Sequence, residues 1–140
     1  HNDPLQARIA RQEYADTMQY IEKKHASIEY ALKAGVRLVA GTDSFIAGVR
    51  FDAMPDEMRW LVEYGCTPMQ AIQAATSWAA LSMGWTDIGT LKPGRLADII
   101  AVEGDPLADI RTMDKVILVV REGKIVKYEL PNTKFIADPE

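Results

Sequence analysis

Cysteine occurs once in the 140 residues, as Cys66, and histidine only twice, as His1 and His25. A lone thiol excludes an internal disulfide framework and a cysteine-based zinc site. Cys66 therefore reads as a small buried hydrophobe between two helices, since a nucleophilic thiol would need a histidine beside it. Lysine and arginine form no run, and the formal net charge is −4, so nucleic acid is not an expected partner. No apolar stretch approaches the roughly 18 residues of a membrane span, so a membrane is not expected either. There is no initiating Met and no signal peptide. A chain opening His1-Asn2-Asp3-Pro4 reads as a fragment, a processed product or a separate subunit. It carries no compartment signal, and the cytoplasm is the favoured location. What is present is 48% hydrophobic and 26% charged, the composition of a globular chain with a core.

Asp3-Pro4 is a helix start, a capping side chain followed by Pro at the first helical position. Met18, Ile21, His25, Ile28 and Leu32 follow at spacings of three and four, one face of an amphipathic helix running to about Ala34 and stopping at Gly35. From Leu5 to Ala34 this helix is unusually long for a globular protein, which leaves room for a break near its middle. Val36 to Ala40 is short, apolar and rich in β-branched residues, which predicts a buried strand ending in Gly41-Thr42-Asp43. A second helix spans about Pro55 to Tyr64 and ends at Gly65. Thr67-Pro68-Met69-Gln70 fits a capping box that opens a third helix through Ala80, whose alanines permit close approach to a neighbour. Lys92-Pro93-Gly94 reads as a type II turn. Ala97 to Val102, Val116 to Val120 and Lys124 to Tyr128 are strands, the last two joined in a hairpin around Glu122-Gly123. From Pro131 the tail is polar.

The first half is thus α/β and the second a small β unit. One parallel-type strand flanked by helices cannot make a sheet alone, so its neighbours must come from outside these residues. An Asp at the C-terminal end of such a strand lies where α/β folds place their active sites. Gly-Thr-Asp also suits an ordinary turn, with Asp43 capping nearby N–H groups.

The wider order of motifs is more specific. Ala34-Gly35-Val36 leads to Gly41-Thr42-Asp43. Then come Glu63-Tyr64-Gly65-Cys66-Thr67-Pro68-Met69-Gln70-Ala71-Ile72, Ala75-Thr76 and Ala79. Ile88-Gly89-Thr90-Leu91-Lys92-Pro93-Gly94-Arg95-Leu96-Ala97-Asp98 follows, and the series closes on Gly104-Asp105-Pro106-Leu107 and the Val119 to Val126 hairpin. In that order the chain resembles the C-terminal part of the amidohydrolase superfamily, particularly its imidazolonepropionase-like and prolidase-like enzymes. The resemblance implies the end of a (β/α)₈ TIM barrel over residues 1–84, C-terminal strands of a small β-sandwich over 85–130, and a tail over 131–140. Asp43 takes the place of the strand-eight Asp, which in that family binds metal and handles protons.

The implied cofactor is one or two divalent ions, zinc foremost, and the implied reaction is metal-dependent hydrolysis of an amide-like C–N bond in a peptide or N-acyl amino acid. The alternatives are a deaminase or cyclic-amide hydrolase of the same superfamily, or a non-catalytic remnant used as a scaffold. The family's other ligands, histidines on strands one, five and six and in many members a carboxylated Lys on strand four, have no counterpart here. A catalytic zinc generally needs three protein ligands. The chain is therefore expected to be inactive alone and to need the N-terminal barrel segment, on the same or a separate chain, besides a small-molecule substrate. A homo-oligomer is compatible with this reading.

Many relatives carry a His a few residues after Gly-Thr-Asp. Here Ser44 to Asp52 holds none, which leaves the substrate class open. Arg50 has the planar fork to meet a substrate carboxylate, but a solvated loop Arg is the plainer reading. His25 is expected to be a satisfied, partly buried residue rather than a ligand, and His1 to have no role. Asp98 reads as a structural acceptor, Trp78 and Trp85 as packing residues between helix and sandwich, and Thr76 and Ser77 as local hydrogen-bonders.

Overall fold

The computed structural model describes residues 4–44 and 50–129. Asp3, His1 and the tail from Pro131 fall outside that range. The chain divides into two compact units, His1–Arg37 and Leu38–Glu140.

The first unit is a single helix, α1, Pro4–Lys33, of 30 residues. It runs without a break, and no Gly or Pro interrupts it beyond its first residue. From Leu5 its side chains are exposed, apart from half-buried Ile28, Ala31 and Leu32. His25 is among the exposed ones, a correction to the partly buried position expected of it. Gly35, at φ 73°, ends the helix: its N–H donates to the Leu32 carbonyl, and the N–H of Val36 to that of Ala31. That pair of bonds, six-to-one over five-to-two, is a Schellman motif and needs a left-handed residue. Two later helices end the same way, at Gly65 and Gly84.

In the second unit α2, Met54–Glu63, turns Met58 and Leu61 into the core. The Thr67 hydroxyl accepts from the Gln70 N–H at 3.2 Å, and the Gln70 side chain accepts from the Thr67 N–H at 2.8 Å. This is the predicted capping box, and it opens α3, Pro68–Ala75. The third helix does not run straight to Ala80, as expected. It breaks at Thr76, with φ −131° and ψ −94°, and resumes as α4, Ser77–Ser82. Gly89 packs against the break: a Cβ there would lie 3.0 Å from Ala80 Cβ, Ser77 Cα and the Thr76 carbonyl oxygen. The close approach that the alanines permit is made by this glycine's backbone.

Ala71 and Ala74 on α3 are fully buried and join Met58, Leu61, Cys66, Ala80 and Ile110 in the core. With small residues at the contact, α2 and α3 pack closely, and α2 also packs on a single 3-10 turn, Ile110–Asp114. The three strands β1 (Ile99–Val102), β2 (Val116–Arg121) and β3 (Lys124–Tyr128) form one antiparallel sheet in that order. Ile99 pairs with Val120, and Arg121 with Lys124 across the hairpin. Glu122 and Gly123 have φ of 51° and 76°, as a two-residue type I′ turn requires. The Asp98 carboxylate accepts the Glu122 N–H at 2.7 Å, and the Ala97 carbonyl accepts that of Gly123 at 3.1 Å. Asp98 is thus the structural acceptor the sequence indicated. The Arg95 N–H donates to the Lys92 carbonyl, and Gly94 has φ 81°, which fits the type II turn. Among the described residues no helix is long and apolar enough to cross a membrane.

Val36 to Ala40 is not a strand here. Its apolar, β-branched sequence favours extended backbone. A strand, however, is defined by exchanged hydrogen bonds, and the segment exchanges none with the described strands.

Candidate functional site

Within the second unit, the backbone leading into Asp43 is held by two bonds in place of a sheet. The Ala40 N–H donates to the Ala74 carbonyl at the C-terminal end of α3, at 3.1 Å. The Gly41 N–H donates to Glu57 Oε1 on the first turn of α2, at 3.4 Å. Asp43 follows at φ 50°, one of two non-glycine residues with positive φ among the described residues. Asp tolerates that region better than most residues because its short polar side chain can compensate locally. Its carboxylate is exposed and has no hydrogen-bond or ion-pair partner among the described residues. The following loop, residues 45–49, lies outside them, as do the N–H groups that a capping Asp43 would use.

Arg50 and Asp56 anchor a charge network in the same unit. Arg50 pairs with Asp52 at 3.2 Å and with Asp56 at 3.3 Å. Asp56 also pairs with Arg59, which reaches on to Asp114 of the 3-10 turn. Arg50 is largely exposed and already engaged by two carboxylates, in keeping with its reading as a loop residue. A shallow depression beside this network is lined by Asp56, Arg59, Trp60 and Glu63, with Trp60 stacked on Tyr64 at a centroid distance of 6.0 Å.

No group of three or more His, Cys, Asp or Glu side chains among the described residues could hold a metal ion. Asp43 offers one carboxylate where a catalytic zinc generally needs three protein ligands. These residues on their own do not fit a complete divalent-metal centre, and no reaction step through an ion can be drawn from them.

The other singled-out residues fall away from Asp43's role. Cys66 is buried, and burial pushes its thiol pKa above the ordinary value. The Thr76 hydroxyl donates to the Ile72 carbonyl at 2.7 Å, the local bond expected of it, and Ser77 begins α4. Trp78 is half-buried as a packing residue should be, but Trp85 is 54% exposed. That corrects the packing role expected for Trp85: it follows the Gly84 cap, where the chain has already left the helix. Glu57 carries no distinguishing sequence signal, being one acid among several near the start of α2. Only the fold brings it to Gly41.

Comparison with known proteins gives this arrangement its context. The Amidohydrolase family model matches residues 4–126. Ochratoxinase from Aspergillus niger is 34% identical over 125 residues, which cover 85% of this chain and 25% of that enzyme. Its crystal structure superposes with a TM-score of 0.74 at 32% identity, over 89% of this chain and 29% of the enzyme. A Xaa-Pro dipeptidase with methionine bound in its active site superposes with a TM-score of 0.66 at 34% identity, over 74% of this chain and 25% of the enzyme. Adenine deaminase 2 from Rhizobium meliloti (strain 1021) is 39% identical over 77 residues, 55% of this chain and 12% of the enzyme. The chain spans a quarter or less of the length of these curated relatives. It is an α/β piece resembling parts of their barrel proteins, and with the family match running through nearly every element described above, the chain belongs to the amidohydrolase family.

Proposed function

We propose that this chain supplies the closing part of a (β/α)₈ barrel and some of a small β-sandwich in a hydrolase that cleaves an amide-like C–N bond. Asp43 is the residue that brings chemistry to it, as one ligand of a divalent ion, zinc foremost, and as a carrier of protons. The observation behind this reading is Asp43 itself. Within the family-matched stretch it is an exposed carboxylate without a partner among the described residues, held in a left-handed turn at the end of an unpaired apolar segment.

Hydrolysis of an amide adds water to the carbonyl carbon and then breaks the C–N bond. The water must lose a proton and the leaving nitrogen must gain one. A carboxylate at the rim of a barrel can do both, taking the proton in the first half and returning it in the second. The rest of the site belongs to strands outside these residues. The absence of a strand partner for Val36 to Ala40 supports that division, because an apolar extended segment gains its hydrogen bonds only when neighbouring strands are present. The chain alone is accordingly inactive.

The substrate proposed is a peptide or N-acyl amino acid, and the likeness to a Xaa-Pro dipeptidase supports the peptide. The similarity to adenine deaminases favours a second reading, deamination at a ring carbon. One assay on the full-length protein separates the two. Release of the free amino acid from an N-acyl amino acid or an Xaa-Pro dipeptide supports amide hydrolysis. Release of ammonia from adenine, with both amides left intact, replaces it with deamination. Turnover by the 140 residues alone would contradict the division of the site.

A further inference from the structure

We infer that Glu57 is a positioning residue, holding the Gly41–Asp43 turn from the side through the Gly41 N–H. Three observations converge on it. The bond from Gly41 to Glu57 Oε1 spans 16 residues and joins α2 to the segment carrying Asp43. The two acids in the first turn of α2 are differently employed: Asp56 is taken up by Arg50 and Arg59, while Glu57 has no cationic partner among the described residues and spends its carboxylate on a backbone amide. Asp43, two residues beyond that amide, sits at φ 50°, a left-handed conformation uncommon for a non-glycine residue even though Asp enters it at lower cost than most.

The physical logic is that of an external clamp. Ala40 is fixed to α3 and Gly41 to α2, so the two amides just before the turn are tied to two different helices. At 3.4 Å the bond is at the long end of the hydrogen-bond range, so it restrains direction more than it adds strength. Gly41 has open space on the side where a Cβ would stand, so no neighbour braces the chain on that side. The clamp's importance for Asp43's chemistry rests on the functional reading above, whereas the clamp itself does not.

Hydrogen exchange in the full chain tests this with no need for metal or substrate. Glu57→Met keeps the length of the side chain and removes the acceptor, while Glu57→Gln keeps one acceptor oxygen. In Glu57→Met the peptide spanning residues 38–44 is expected to exchange about fivefold faster at the Gly41 amide, the loss of roughly one net hydrogen bond. The peptide spanning residues 58–64 of α2 keeps its protection, and Glu57→Gln restores most of that at Gly41. Equal exchange at Gly41 in all three proteins would overturn the inference. So would a loss in Glu57→Met that spreads through 58–64, which marks a helix defect, or a loss that Glu57→Gln shares in full. Because the readout is a backbone amide, the clamp can stand or fall independently of what Asp43 does.

Discussion

The N–H of Ala40 donates to the carbonyl of Ala74 at 3.1 Å, so the end of α3 holds the segment that leads into Asp43. Ala74 has no exposed surface. The residue that lends its carbonyl to this segment is therefore also part of the core in which α2 and α3 pack.

This double role makes Ala74→Leu a sharp probe. The larger side chain has no room and is expected to destabilise the chain by about 1–3 kcal/mol, the usual cost of overpacking a filled core. Met69, on the exposed side of the same helix, should tolerate Ala with a change within about 0.5 kcal/mol. Urea unfolding of both variants checks this: the midpoint falls for Ala74→Leu and stays put for Met69→Ala. Equal midpoints would show that the contact between α2 and α3 is looser than described.

The hairpin tip gives a second, opposite pair. Glu122 holds φ 51° in a turn that prefers Asn followed by Gly. Glu122→Asn is expected to stabilise by about 0.5 kcal/mol, because Asn enters the left-handed region at lower cost. Asp98→Ala removes the acceptor for the Glu122 N–H and should cost about 1 kcal/mol. Denaturant midpoints of the two variants should move in opposite directions. A rise for Asp98→Ala would remove Asp98 from its structural role.

A pH effect follows from Asp109. The Arg111 side chain donates to the Asp109 carboxylate from Nε and from its terminal nitrogen, and the Arg111 backbone N–H adds a third donor. The guanidinium bonds first, and then the backbone bond, hold the Asp109 pKa below its ordinary value. A carboxyl group lowered on folding stabilises the folded chain above its ordinary pKa, near 4, and loses that contribution as pH falls through the lowered value. Arg111→Ala should return the Asp109 pKa towards the ordinary range and shift that part of the acid response upward. Carboxyl titration by NMR reads it directly, and an unchanged Asp109 pKa in Arg111→Ala would contradict the assignment.

Local chemistry made much of this structure legible in advance. The Thr67 capping box, the Gly35 and Gly65 stops, the Lys92-Pro93-Gly94 turn and the Glu122-Gly123 hairpin are each written in a few adjacent residues, and each appears where the residues place it. Several departures turn on partners distant in sequence. The helix breaks at Thr76 where Gly89 approaches, and no local pattern announces that approach. Val36 to Ala40 has strand composition but pairs with no described strand. His25 and Trp85 have the chemistry of packing residues and lie exposed. At the site, Asp43 was visible as a residue and as a motif. Its two backbone anchors were not, since Glu57 and Ala74 meet the segment only through the packing of α2 and α3.

Metal content of the full-length protein, compared between wild type and Asp43→Asn, tests the central claim most directly. Asn keeps the shape of the side chain but neither its charge nor its capacity to carry a proton. The account predicts at least one divalent ion per wild-type chain, a clear loss of that ion in Asp43→Asn, and amide hydrolysis reduced by about two orders of magnitude or more, with the fold unchanged by circular dichroism. Equal metal content and near-normal turnover in Asp43→Asn would contradict it.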